Sequence, residues 1–353
     1  MGVQLSSNEW NRNMSVELLK EKIRHVTSED RDKLPVYSYS RMEVFKNCPY
    51  QYNIKYNEKK YSSDTTIALE LGTLCHYILE QKGKMLLTDD DQVDYNKLTE
   101  YTNNGTCEMD DKTTETILGL NDLKIKYFEE WYEPDNASGK NYEEKMQVFD
   151  LVLHKEMELD MGEWKPYLFE HHFEFVWDNR IIIAGFIDRI DAIYNDDNII
   201  TALRTIDYKT SKKVYDKAKL ATSLQFGIYA LAILNEFDIL PKESVYRFIL
   251  IDEIQRALTI GWEKRLIKAI DKLLDQIDKC DKTGLFKPSP CPLCYWCNYA
   301  ATNPKAHQYK NECNYYSLWT PTQKTFALNE QWCPNKKEEN TTNIQKRERK
   351  LIF

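Results

Sequence analysis

Nowhere does the chain approach the run of about 18 apolar residues that a membrane-spanning helix requires, so no membrane association is expected. The opening stretch, Met1 to Asn13, is polar and lacks the apolar centre of a secretion signal. No G-x-x-x-x-G-K-S/T phosphate loop occurs, so ATP hydrolysis by this chain is not expected. There is no internal repeat. Basic charge is also short: 48 Lys and Arg against 56 Asp and Glu leave a formal net charge of −8. A chain of that balance does not advertise nucleic-acid binding, and any such surface has to be a local groove.

What is present is the make-up of a soluble globular protein. The 353 residues are 42% hydrophobic and 29% charged, enough to bury a core in one large domain or two. Tyrosine is abundant at 23; most of these fit half-buried packing positions, and some could stack on nucleobases. The nine cysteines are odd in number and follow no secretion signal, so a disulfide framework is not expected. Four of them fall between Cys291 and Cys313, a clustering that points to metal.

Changes of period divide the chain. Residues 1–35 read as a polar helical lead-in and 36–165 as a mostly helical lobe. In that lobe Val36 to Tyr56 reads as a turn and a helix, with Ser38 or Ser40 as N-cap and Glu43 closing a capping box on Ser40. Thr65 to Lys82 is a second helix, with Ile67, Leu71, Leu74, Cys75, Ile78 and Leu79 at helical spacing. Asp89 to Lys112 and Glu133 to Asn141 read as loops, and Tyr142 to Met161 as a helix. From 166 to 290 the pattern becomes strand-like at Leu168–Trp177, Ile181–Tyr194, Ile199–Tyr208 and Val245–Ile251, with turn residues at Asp178–Arg180 and Asn195–Asn198. Helices are expected at Leu220–Glu236 and Gly261–Lys282. Three strands, a helix and a further strand suggest an α/β core with a mixed central sheet flanked by helices. Residues 291–320 are cysteine-rich. Residues 321–353 form a polar tail that could dock another protein but reads more simply as solvated, disordered chain.

The chemistry sits near strand ends. Gly185-Phe186-Ile187-Asp188-Arg189 and Ile206-Asp207-Tyr208-Lys209-Thr210 each carry an acid after an apolar, β-branched stretch. Alternation puts Asp207 and Lys209 on one face, and a hairpin partner would bring Asp188 to the same edge. Two carboxylates and a lysine so placed can hold Mg2+ or Mn2+ and activate a water, which is the chemistry of phosphodiester hydrolysis. The competing reading is a surface ion pair at a strand end. Gln225 and Tyr229 are four apart on one helix face, where they could grip a DNA backbone or the lysine. His76 follows Gly72 by one helical turn. An imidazole suits a Mg2+ or Mn2+ site otherwise made of oxygens, and Gly72 permits close approach to another backbone.

Cys294 and Cys297 form C-x-x-C, with Cys291 before, Cys313 after and Cys48 far upstream beside Pro49. Four thiolates could bind a 4Fe–4S cluster or Zn2+, and spacing alone does not separate the two; the competing reading is reduced free cysteines. The aromatic surround of Tyr295, Trp296, Tyr299, Tyr315 and Tyr316 would shield a cluster from solvent.

Taken in order, these pieces resemble the RecB-type branch of the PD-(D/E)XK nucleases: Ser38-Tyr39-Ser40 with Cys48-Pro49-Tyr50, Gly72 with His76, the Gly185–Arg189 strand, Asp207-Tyr208-Lys209-Thr210, Gln225 with Tyr229, and the late cysteines. The resemblance extends from Val36 to Tyr316. It implies a restriction-endonuclease-like core in which His76, Asp188, Asp207 and the Tyr208 carbonyl bind Mg2+ or Mn2+. It also implies that Lys209 is catalytic and that Gln225 and Tyr229 lie on the family's Q-x-x-x-Y helix. Some members add an acid on the strand before the Gly-x-x-Asp motif, for which Glu170 and Glu174 are both open. In iron–sulfur members, among them CRISPR-associated single-domain nucleases and AddB-type proteins, one N-terminal and three C-terminal cysteines hold a cluster. Cys48, Cys294, Cys297 and Cys313 fit that pattern best. The stretch Asn298–Glu312 is longer than the family's spacing, which leaves Cys291 as a rival ligand.

The resemblance further implies a metal-dependent DNA nuclease acting on ends or single strands in recombination, repair or phage DNA processing. Its setting would be the cytoplasm of a bacterium or of a phage-infected cell. An exonuclease fits better than a restriction enzyme, because nothing in the sequence suggests base reading in a groove. The alternative is a non-catalytic DNA-binding or assembly module that keeps the fold.

Overall fold

The computed structural model describes residues 16–64, 67–88, 93, 94, 96, 163–211, 213–257, 262–303 and 306–313. Met1–Asn13, nearly all of Asp89–Lys112, the loop at Glu133–Asn141, the helix at Tyr142–Met161, Tyr315, Tyr316 and the tail from Pro321 lie outside the described residues. The chain divides into two units, Met1–Tyr39 with Thr66–Lys272, and Ser40–Thr65 with Leu273–Phe353.

A seven-stranded mixed sheet organises the first unit. β1 (Ile23–Arg24), β3 (Lys165–Trp177), β4 (Ile181–Tyr194), β5 (Ile200–Lys209), β6 (Glu243–Phe248) and β7 (Glu253–Arg256) lie in that order, and β2 (Val36–Tyr37) pairs in parallel with the start of β4. β3, β4 and β5 form an antiparallel meander, β6 runs parallel to β5, and β7 returns antiparallel. Ile181, Ile182 and Ile183 are successive and all buried, which requires cover on both faces of β4. The β3–β4 turn takes three residues, Asp178 to Arg180, between the paired Trp177 and Ile181; Asp178 and Asn179 have φ values of 50° and 54°, which Asp and Asn tolerate. At the β4–β5 turn, Asn195 Oδ1 accepts from the amides of Asp197 at 3.1 Å and Ile199 at 2.8 Å.

Helices in chain order are α1 (Ser28–Lys33), α2 (Tyr39–Asn47), α3 (Pro49–Tyr52), α4 (Ile67–Met85), α5 (Lys217–Ala221), α6 (Leu224–Phe237) and α7 (Trp262–Thr283). Every residue of α6 from Leu224 to Leu234 is buried, and the helix packs on β1, β3 and β5. Each fully buried Leu or Ile in it contributes about 1.5–3 kcal/mol. Gly227 is required where α6 meets α7: a Cβ there would lie 2.3 Å from a Leu266 methyl.

Several boundaries differ from expectation. The lead-in is not wholly helical, because β1 joins the sheet ahead of α1, and Val36–Tyr37, expected as a turn, forms β2. α2 already begins at Tyr39, so Ser40 lies inside its first turn rather than capping it. The run from Leu220 breaks at Ser223, whose hydroxyl accepts from the Phe226 amide and starts α6 afresh. The strand at Val245 stops at Phe248, and β7 is an additional strand that the sequence pattern does not announce.

In the second unit α2 and α3 pack through aromatics. Tyr52 meets Phe45 edge-on at 5.2 Å and stacks on Phe286 at 6.3 Å, and its hydroxyl accepts from Arg41 at 2.9 Å.

Candidate active site

The elements α4, β3, β4, β5 and α6 of the first unit supply the side chains of one site. The Tyr208 amide donates to Asp188 Oδ2 at 2.8 Å, just beyond the ladder pair of Arg189 with Ile206. His76 Nδ1 lies 3.4 Å from the same oxygen. Glu170 joins them: single ligand atoms of His76, Glu170 and Asp188 all lie within 4.8 Å of one another. Of the two open acids, then, it is Glu170 that reaches the site, whereas Glu174 forms an ion pair with Arg31. Glu170 has a φ of 43° in the middle of β3, a left-handed conformation costing a non-glycine residue of order 1–3 kcal/mol.

Asp207 and Lys209, two apart on β5, form an ion pair. Gln225 on α6 holds both. Its Oε1 accepts from Lys209 Nζ at 3.3 Å, and its Nε2 donates to Asp207 Oδ1 and, at 3.0 Å, to Tyr229 Oη. Tyr229 Oη in turn donates to Asp207 Oδ1 at 3.2 Å. Gln225 and Tyr229 are buried, 8% and 5% exposed. Gln225 thus contacts the lysine, while Tyr229 contacts Asp207. Gly72 approaches a side chain rather than a backbone: a Cβ there would lie 3.3 Å from Thr210 Oγ1. An open groove of about 570 Å3 runs past these groups, lined by Gly72, His76, Tyr77, Glu80, Glu170 and Thr210.

Burial and mutual charge set the protonation states. Burial pushes the Glu170 carboxyl up to about 7, and the Asp188 charge adds to it. Burial pulls His76 down, but the hydrogen bond to Asp188 and the charges of Asp188, Asp207 and Glu170 outweigh it and hold the imidazole at about 9. Asp207 is raised by burial and by Asp188, against the opposing pull of Lys209. For Lys209 burial is outweighed by Asp207, so the ammonium form is favoured.

Tyr246 on β6 was not singled out by sequence. It sits opposite Asp207 in the parallel register, its ring lies 5.3 Å from Lys209 Nζ, and its hydroxyl donates to Gln225 Oε1 at 3.3 Å and contacts Ser223 Oγ at 2.7 Å. Only knowledge of the β5–β6 pairing would have found it.

In the second unit Cys48, Cys291, Cys294, Cys297 and Cys313 line one cavity of about 220 Å3. All five are free. Cys48 Sγ accepts from the amides of Gln51 at 3.5 Å and Ser289 at 3.4 Å, and Cys294 Sγ from that of Cys291 at 3.3 Å. Burial pushes the Cys297 thiol up to about 11. Among the described residues no three cysteine sulfurs lie within 4.8 Å of one another. The expected aromatic shield is thinner than anticipated. Tyr299 is buried, but Tyr295 and Trp296 are 48% and 61% exposed.

The sequence pattern that defines the PD-(D/E)XK nuclease superfamily matches residues 36–302, and the chain belongs to that superfamily. It is similar to one component of the ATP-dependent helicase/deoxyribonuclease of Clostridium tetani, its B chain, 27% identical over 229 residues, covering 59% of this chain and 18% of the relative. The corresponding protein of Clostridium perfringens is 26% identical over 234 residues, covering 63% of this chain and 19% of the relative. The chain thus spans less than a fifth of the length of these relatives. A crystal structure of a candidate exonuclease from Eubacterium rectale aligns with a TM-score of 0.40 and 12% identity, over 84% of this chain and 93% of that one, a likeness too weak to bear on activity. Among the described residues no helix is long and apolar enough to cross a membrane.

Proposed function

We propose that the chain is a divalent-metal-dependent DNA nuclease that degrades strands from their ends. The observation that carries this reading is the meeting of His76, Glu170 and Asp188 within 4.8 Å beside the Asp207–Lys209 pair. An imidazole among carboxylates is a donor set suited to Mg2+ or Mn2+, and His76, Glu170, Asp188 and Asp207, with the Tyr208 carbonyl, would hold the ion. When bound, such an ion lowers the pKa of a water and offsets phosphate charge.

The remaining work falls to the chain's own groups. Lys209, kept as an ammonium, orients the attacking water and balances charge gathering on the phosphate. Asp207 anchors that ammonium, and Gln225 with Tyr229 fixes both against β5. The strained backbone at Glu170 is the conformation in which its carboxylate reaches the group. The deoxyribonuclease in the relatives' name supports DNA as substrate.

We also infer that the cysteine cavity holds a 4Fe–4S cluster rather than Zn2+. What supports a thiolate-bound group is the convergence of five cysteines on one cavity, and what supports the cluster is the order of one upstream and several C-terminal cysteines. Cys48, Cys294 and Cys297 would be three ligands, with Cys313 or Cys291 the fourth. Its role is structural, tying Cys48 to the C-terminal cysteines.

The test of the nuclease reading is incubation with Mn2+ of end-labelled linear single- and double-stranded DNA beside closed circular single strands. Loss of linear DNA with the circle spared is expected. Cleavage of the circle would overturn the end-dependent reading, and no loss of any DNA the nuclease reading itself.

A further inference from the structure

A second cavity of about 510 Å3 lies in the same unit as Lys209. Among the described residues, its lining includes Tyr215, Phe226 and Trp262 together with Lys217 and Arg256. The volume falls in the range of sites for small organic ligands, about 300–1,000 Å3.

Aromatic contacts connect it to the chemistry. The Lys209 ammonium lies 5.3 Å from the Tyr246 ring. Tyr246 stacks on Phe226 at 3.9 Å and meets Tyr215 edge-on at 5.0 Å. Both of those neighbours are cavity walls. Tyr215 is held firmly for a loop residue: its amide donates to Gln255 Oε1 at 2.8 Å and its carbonyl accepts from Gln255 Nε2 at 2.7 Å. Tyr215 also meets Phe248 edge-on at 5.4 Å, and the Lys219 ammonium sits 3.6 Å over its ring.

We propose that this cavity is a stacking subsite for one nucleobase of the strand whose phosphate lies at Lys209. The assignment rests on the nuclease reading and deepens it, by naming an unpaired base as a recognised feature. Three properties select this occupant. The lining carries Trp262 and Tyr215, aromatic residues of the kind that stack on any base without reading its sequence. The cations in the lining, Lys217 and Arg256, complement a phosphate backbone in a chain whose net charge is −8. One stacked pair of rings, Phe226 on Tyr246, separates the cavity from Lys209. A base held there has left its helical stack, so the subsite favours single strands and frayed ends over intact duplex.

The probe is a fluorescent single-stranded oligothymidylate, bound in EDTA so that no cleavage occurs, beside the same oligonucleotide with abasic positions. Base stacking on aromatic side chains sets the scale. Trp262→Ala should weaken binding of the base-bearing strand about five- to hundredfold and leave the abasic strand unchanged. Trp262→Phe should restore most of the loss, which separates a lost stacking face from a damaged fold. Lys217→Ala should weaken both strands equally. Equal binding of the base-bearing strand by wild type and Trp262→Ala, or equal weakening of both strands in that variant, would overturn the subsite. The nuclease reading is scored separately, by Mn2+-dependent degradation by the wild type: degradation with an insensitive Trp262 rejects the subsite alone, and absence of degradation rejects both.

Discussion

Asp188 and Tyr208 are joined by an amide-to-carboxylate hydrogen bond of 2.8 Å at the point where the β4–β5 ladder has ended. The two motif strands separate there, which opens room around the carboxylates, while the bond keeps Asp188 fixed to β5. His76 contacts the same Asp188 oxygen from α4, so three elements share one carboxylate.

Gln225 is a positioning residue. Gln225→Ala removes hydrogen bonds to Lys209, Asp207, Tyr229 and Tyr246 at once. Buried groups left unpaired cost about 1–3 kcal/mol, and urea unfolding should show a loss of that size. On DNA the variant should lose kcat with KM nearly unchanged, since Gln225 is buried and faces the lysine. A rise in KM with kcat retained would mean that it contacts the strand.

Asp191 is a sensitive position for stability. It is fully buried and accepts from Arg189 Nε at 2.6 Å and Arg204 Nε at 2.8 Å. Asp191→Ala removes the carboxylate that two buried guanidiniums share, although Arg204 keeps Glu243 at 3.4 Å, and removing one partner of a buried ion pair costs about 3–5 kcal/mol. Replacing Arg189, Asp191 and Arg204 together by apolar residues of similar volume should cost far less, because no charge is left uncompensated. Chemical denaturation of both variants is the check, and equal destabilisation would contradict the account.

Metal-free stability should decrease with rising pH. Glu170, held up at about 7, and His76, held up at about 9, both have folded values above their ordinary ones of 4.5 and 6.5. A group raised in this way stabilises the fold below its unfolded value and loses that contribution as pH rises through the folded one. The melting temperature in EDTA should therefore fall across the interval from 4.5 to about 9 set by these two groups. A divalent ion needs the same groups deprotonated, so stabilisation by Mn2+ should grow over that interval. A Mn2+ effect that shrinks with rising pH would contradict the ligand assignment.

Protein purified without oxygen should be brown and contain iron and sulfide, as thiolate-bound clusters do. Cys48→Ala, Cys294→Ala and Cys297→Ala should each bleach it. Whichever of Cys291→Ala and Cys313→Ala also bleaches identifies the fourth ligand. Colourless protein with stoichiometric zinc would contradict the cluster and keep the tie between Cys48 and the C-terminal cysteines.

Much of the sheet was legible because its signals are local. β3, β4 and β5 announce themselves by β-branched and aromatic runs, and their turns by Asp178-Asn179 and Asn195, whose backbone and hydrogen bonds do what those residue types predict. Less legible were features set by tertiary pairing. Short strands such as Ile23–Arg24 have no period to detect and exist because β3 offers an edge. Glu170 and Glu174 look alike in sequence; the left-handed backbone at Glu170 and the Arg31 partner of Glu174 separate them, and neither is written in local composition. The restart of the helix at Ser223 was readable in principle, from a Thr222-Ser223 pair inside an apolar run.

The most direct measurement compares wild type with Lys209→Ala on end-labelled DNA in Mn2+, with circular dichroism to confirm that both are folded. The wild type should shorten the DNA, and the variant should be slower by about 10²–10⁴-fold while keeping its secondary structure, as expected when a group acting on the attacking water is removed. Undiminished degradation by a folded Lys209→Ala protein would contradict the assignment of this cluster as the site of hydrolysis.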